Sequence, residues 1–190
     1  QRPYDVIAHP EDVPKAIFIS AYVTAPLAAD INYTLKGKEK ELQAAIDGLG
    51  KLTPGKVHIG LGAGEDSPFS GLTGFEAHRI SGPHPAGLVG TLINKVDPIN
   101  KGERVWTVSP HDLAIIGEAF LSGKFNAERL VALVGSCVKK PKYYATKIGA
   151  EISTFLYASG VNQENFRVIN GDVLTGRKSS PEGSLGFYNN

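Results

Sequence analysis

The chain has 190 residues, of which 42% are hydrophobic, enough for one medium domain or for one domain plus a smaller one around a real core. Its 20 basic and 19 acidic residues leave a formal net charge of +1, so no global field gathers nucleic acid or an anionic membrane surface. The single cysteine, Cys137, excludes an internal disulfide or a thiolate cluster, and no apolar run approaches the roughly 20 residues of a membrane span.

The opening Gln1-Arg2-Pro3-Tyr4 lacks the charged-then-apolar pattern of a signal peptide, and the missing initiator Met points to a cut or processed chain. Residues 16–21 read as a short buried strand, apolar and bounded by Pro14 and Pro26. A helix is expected over 38–52, because Leu42, Ile46 and Leu49 fall on one helical face and Pro54-Gly55 stops it. A second strand follows at 56–61. Strand, helix, strand at this spacing is a βαβ unit with parallel neighbours. Residues 62–74 read as a glycine-rich loop and 77–80 as a third strand. Next comes the turn Gly82-Pro83-His84-Pro85-Ala86-Gly87, with a helix expected from about 85 to 96, where Asp97-Pro98 ends it. Residues 104–108 are a fourth strand. Ser109 then caps a helix with Pro110 at its first position, Leu113, Ile116, Gly117 and Phe120 on one face, and Gly123 as its stop.

The texture changes after about residue 125. Residues 129–138 and 142–147 read as a β-hairpin, 150–158 as a short helix, 165–171 as a returning strand, and 178–183 as loop. The expected fold class is therefore α/β: a Rossmann-like βαβ domain over 1–126, followed by a small α+β domain of the β-grasp type over 127–190.

Four features bear on chemistry. Gly60-Leu61-Gly62-Ala63-Gly64 follows a strand, where nucleotide-binding turns sit, but Glu65 and Asp66 would repel a pyrophosphate and no helix pattern begins there. In the 82–87 turn, two prolines fix the backbone around His84. With Pro85 at a helix start, the N–H groups of Ala86, Gly87 and Leu88 would be open to an anion. The other reading of this turn is a rigid strand-to-helix joint. The five histidines, His9, His58, His78, His84 and His111, form no metal-binding spacing, so no metal site is expected, although His58 and His78 each fall on a sheet face. Tyr4, beside the cation Arg2, is placed to contact a flat ligand, against the alternative of a frayed end. Cys137 lies in an apolar run and is expected to be buried and inert.

The run Ser81-Gly82-Pro83-His84-Pro85-Ala86-Gly87-Leu88-Val89-Gly90-Thr91 resembles a signature of the A-component of the bacterial sodium-translocating NADH:quinone oxidoreductase. Residues 16–21 with Pro26-Leu27-Ala28, residues 115–123 and residues 167–176 extend the resemblance over nearly the whole chain. It implies a Rossmann-like fold similar to the flavin subunit of respiratory complex I, then a β-grasp (soluble-ligand-binding) domain. It implies a peripheral subunit on the cytoplasmic side of the bacterial inner membrane. That subunit would contact other subunits, above all the membrane-embedded B-component, in a complex that carries electrons from NADH to ubiquinone or menaquinone and exports Na⁺. The resemblance further implies that this segment binds no cofactor, the flavins and the iron–sulfur centre lying mainly in other subunits. The family's lipoyl-like N-terminal domain has no counterpart in this sequence.

The expectation is a structural and docking segment with no catalytic residue of its own. Tyr4, Gly82, Pro83, His84, Pro85 and Gly87 are its candidates for quinone or subunit contact. The alternative is an isolated flavin- or dinucleotide-binding oxidoreductase domain.

Overall fold

The computed structural model describes residues 6–64, 66–161 and 166–186. The chain divides into two compact units: residues 1–24 with 31–126, and residues 25–30 with 127–190. Tyr4 and Glu65 lie outside the described residues.

The first unit is built on a four-stranded sheet of β1 (Ile17–Ser20), β2 (Val57–Gly62), β3 (Glu76–Ile80) and β4 (Trp106–Thr107). Its order is β3-β2-β1-β4 and every pairing is parallel. Alternation along β1 divides the core in two. Ile17 and Ile19 pack with Leu42, Ala45, Ile46 and Leu49 of α2 (Glu39–Leu49) and Leu113 of α4 (Pro110–Ser122). Ala16 and Phe18 face the other way, onto Leu92 and Ile93 of α3 (Val89–Val96). Helices therefore cover both faces, which is why β1 reads as an unbroken apolar run. Ile17, Phe18 and Ile19 are each fully buried, worth about 1.5–3 kcal/mol apiece.

Several elements form as their sequence signals require. β1 and β2 pair in parallel across α2. The Ser109 hydroxyl accepts the Asp112 N–H at 3.1 Å to cap α4, Pro110 opens it, and Gly123 closes it with a left-handed φ of 69°. Other elements differ. A short α1 (Ile31–Thr34) was not anticipated. Phe120 lies at the margin of the apolar face of α4, its ring against Gly48 of α2, and is 58% exposed. The glycine-rich connection between β2 and β3 is anchored in the core rather than loose, because Phe69 is 1% exposed and packs edge-on to Phe75.

The second unit is a small α+β arrangement. β5 (Glu128–Leu133) and β6 (Lys142–Lys147) form an antiparallel pair, as do β7 (Val168–Asn170) and β8 (Arg177–Ser179). Between them lies α5 (Ser153–Ser159), whose Phe155 meets Tyr144 edge-on. The first strand of the hairpin is shorter than expected. It ends at Leu133, Gly135 takes a φ of 136°, and Cys137 falls in the following turn, partly exposed rather than buried. Part of the segment read as loop is β8, recruited by pairing with β7. Residues 25–30 belong to this unit, and the Asp30 N–H donates to the Tyr143 hydroxyl at 3.0 Å.

Candidate functional site

β1, β2 and β3 step outward to one edge of the sheet, and β4 then returns to the opposite side of β1. In open parallel sheets the crevice for ligands lies at such a reversal, outside the carboxyl ends of the strands. Here it is flanked by the segment following Ser20, and the 82–87 turn folds directly onto that segment. The Ser20 hydroxyl donates to the Gly87 carbonyl at 2.7 Å, and the Tyr22 hydroxyl donates to the Gly82 carbonyl at 3.3 Å. Thr24 Oγ1 accepts the Gly87 N–H at 3.1 Å and lies 3.2 Å from His84 Nδ1, with the donor set by the imidazole tautomer. Gly87 is required by this approach. A Cβ there would sit 2.8 Å from Thr24 Oγ1 and 3.0 Å from its nitrogen, and closer still to the Tyr22 carbonyl oxygen.

The helix after the turn begins at Val89, with Leu88 in the capping position, not at Pro85. The His84–Pro85 peptide bond is cis. The three amides expected to be open to an anion are taken: Ala86 N–H donates to the Pro83 carbonyl, Leu88 N–H to the Pro85 carbonyl, and Gly87 N–H to Thr24. The turn uses these donors to hold itself together and to dock on residues 20–24, so the reading of an anion-binding helix start does not hold. What remains is a turn docked on residues 20–24 with an exposed outer side. Gly82, Pro83 and Pro85 are exposed, and His84 is half-buried beneath them.

The glycine loop fits a dinucleotide poorly. Gly60 and Gly62 lie inside β2, not in a turn beyond it, and a Cβ at Gly60 would press on Ile80 and Leu92. The chain then runs to β3 with no helix among the described residues to present its N-terminus to a phosphate.

A second cluster was not foreseen. β2 and β3 register His58 opposite Glu76 and Gly60 opposite His78, so His58, Glu76 and His78 share the sheet face that carries Phe18. His58 Nδ1 and His78 Nε2 are 3.0 Å apart, and Glu76 Oε2 lies 3.4 Å from the same His58 nitrogen. His58 is 7% exposed, and its ring stacks on Phe18 at a centroid distance of 4.8 Å. Burial, reinforced by His78, holds the His58 pKa below the usual histidine value. Glu76 also pairs through Oε1 with Lys56, whose hydrogen bond holds its carboxyl below the usual range. Alternation in the sequence placed each histidine on a sheet face. Only the parallel register brings them together and adds Glu76.

These features define a Rossmann-type parallel α/β unit with a docked turn at its strand ends, joined to a small α+β unit. The chain belongs to the family described as the NqrA second alpha/beta domain, matched over residues 1–125; residues 130–180 match the NQRA C-terminal domain. It is 38% identical over all 190 residues to the A-component of the Na(+)-translocating NADH-quinone reductase of Neisseria meningitidis, and 38% identical over the same length to that of Saccharophagus degradans. The component of the same name from Pseudomonas aeruginosa is 38% identical over 176 residues, 93% of this chain. The chain spans 42% of the length of the Neisseria relative and 39% of the Pseudomonas one. In fold it resembles a chain of an NAD⁺-reducing [NiFe]-hydrogenase, with a TM-score of 0.64 at 14% identity, over 93% of this chain and 38% of that one.

Proposed function

We propose that this chain is a structural and docking portion of the A-component of a Na⁺-translocating NADH:quinone reductase. The supporting observation is the 38% identity that extends over all 190 residues to relatives of that name. In this reading the whole complex passes electrons from NADH to ubiquinone or menaquinone and exports Na⁺. The chain sits peripherally on the cytoplasmic side of the bacterial inner membrane, against the membrane-embedded B-component, and leaves the flavins and the iron–sulfur centre to other subunits.

Two features favour docking over catalysis. Two of the three glycines that would cradle a nucleotide, Gly60 and Gly62, are consumed by β2. At the end of α4 and beyond it, Phe120, Leu121 and Phe125 are 58%, 60% and 66% exposed, large apolar side chains of the kind that interfaces bury. The test is assembly and turnover of the complete complex carrying Phe120→Ser together with Phe125→Ser. Loss of this component from the purified complex, with matching loss of Na⁺-coupled quinone reduction, is expected. Normal assembly and normal turnover would overturn the docking role.

The exposed side of the turn favours a second, narrower role, contact with quinone or with a neighbouring subunit. Gly82, Pro83 and Pro85 are exposed beside the strand ends, with His84 held by Thr24. His84→Ala in the complex should weaken binding of a quinone analogue while the protein stays folded. Unchanged affinity would remove His84 from the quinone site.

A further inference from the structure

The geometry points to a divalent transition-metal site formed by His58, Glu76 and His78, one suited to Zn²⁺. Two imidazole nitrogens and one carboxylate oxygen are a zinc-type donor set, and three protein ligands leave a fourth position for water or for a partner's side chain. The ligand atoms all lie within 4.8 Å of one another, with separations from His58 Nδ1 of 3.0 Å to His78 Nε2 and 3.4 Å to Glu76 Oε2. With bonds of about 2.0–2.1 Å, a tetrahedral ion places its ligands about 3.3 Å apart. The two separations from His58 Nδ1 thus already lie close to those between the ligands of a bound zinc ion.

Two supports hold the ligands in place. Phe18, fully buried on the central strand, stacks on the His58 ring at an interplanar angle of 23° and fixes its orientation. Lys56 binds Glu76 through Oε1, which leaves Oε2 turned toward His58. Such outer contacts orient metal ligands. A hydrogen bond between the two imidazoles would account for their 3.0 Å contact alone. The same N–H can also reach Glu76 Oε2, and the lone pairs that share this proton are the ones a metal ion would use in its place. When the ion enters, the proton shared by the imidazoles moves to the other nitrogen of its ring, and both rings remain neutral ligands.

The experiment uses the full-length, untagged protein, stripped with chelator and titrated with Co²⁺ as a spectroscopic probe. One equivalent should bind, giving the visible absorption of a four-coordinate site, and Zn²⁺ should displace it. Glu76→Gln and His78→Ala, both at the more accessible side of the cluster, should each weaken binding by more than about tenfold, whereas His9→Ala should leave it unchanged. Near-UV circular dichroism checks that the variants fold. Should either unfold, the wild-type imidazole NMR signals of His58 and His78 give an independent reading, since they alone among the histidines should shift on Zn²⁺ addition. Absence of stoichiometric binding, binding that survives both substitutions, or unmoved His58 and His78 signals overturns the site.

Discussion

Gly117 of α4 lies against the backbone of Glu41 in α2, so close that a Cβ on the glycine would sit 2.9 Å from the Glu41 Cα and nearer still to its carbonyl oxygen. The two helices on this face of the sheet approach each other through the space that a missing side chain leaves. Gly117→Ala gains about 1 kcal/mol of helix propensity, but it must push two backbones apart. Overpacking of this kind costs about 1–3 kcal/mol, and an unyielding backbone belongs at the top of that range. A net loss of about 2 kcal/mol in urea unfolding is expected. Gly48→Ala is the contrasting case. The nearest atoms to its new Cβ all belong to the ring of Phe120, which is 58% exposed and can swing aside, so stability should hold or rise by up to about 1 kcal/mol. Equal effects at the two positions would contradict this account.

Thr24→Val should loosen the 82–87 turn without disturbing the sheet. It keeps the shape of the side chain but removes the acceptor of the Gly87 N–H and the partner of His84 Nδ1. The expected cost is about 1 kcal/mol. Hydrogen exchange at the Gly87 amide should quicken while the β1 and β2 amides stay protected. Thr24→Ser, which retains the hydroxyl, should restore slow exchange at Gly87.

Leu27 has a φ of 59°, a conformation that costs a branched residue about 1–2 kcal/mol, and its side chain is 59% exposed. So exposed a leucine gains little from packing to offset that strain. Leu27→Asn, which tolerates this backbone, should stabilise the protein by about 1 kcal/mol in thermal or urea unfolding. The same substitution should weaken incorporation of the protein into the complex if the leucine serves docking.

The Lys15 ammonium joins Asp97 at 2.6 Å and Glu103 at 2.9 Å. The Asn100 backbone N–H, followed by Lys15, holds the Glu103 carboxyl below its ordinary value of 4.5. A carboxyl with a depressed folded-state pKa stabilises the fold above its unfolded pKa, and that contribution disappears as pH falls through the folded value. The stability difference between wild type and Glu103→Gln should therefore be present at neutral pH, shrink below about 4.5, and vanish once Glu103 is protonated. Raised salt should shrink it as well, because these groups are accessible to solvent. Denaturant titrations at a series of pH values give the comparison directly.

What could be read from the chain alone was what local chemistry decides. The Leu42, Ile46, Leu49 spacing marked α2, and Ser109, Pro110 and Gly123 marked both ends of α4, because caps and periodicity act within a few residues. The start of α3 was misplaced because the amides of residues 86–88 are claimed by the turn itself and by Thr24, which is 60 positions away from His84. Phe69 was hidden in a stretch whose glycines suggested freedom, yet one aromatic side chain anchors it in the core. β8 has a polar sequence, Arg177-Lys178-Ser179, and owes its strand conformation to its partner. For the candidate sites, the 82–87 turn was conspicuous in sequence but its seat on Ser20, Tyr22 and Thr24 was not. The His58–Glu76–His78 cluster depends on strand register, which alternation does not specify between parallel neighbours separated by a long connection.

The position of β4 has a consequence for biosynthesis. The Trp106 and Val108 amides donate to the Ala16 and Phe18 carbonyls, so one whole edge of the central strand waits for a two-residue partner encoded far downstream. As the polypeptide leaves the ribosome, β1, α2 and β2 can associate early, but the sheet keeps an adhesive open border until residue 108 has emerged. A fragment ending before Trp106 should therefore aggregate, whereas one extended through α4 should stay dispersed. Chaperone protection of the nascent chain is expected to matter most within that interval.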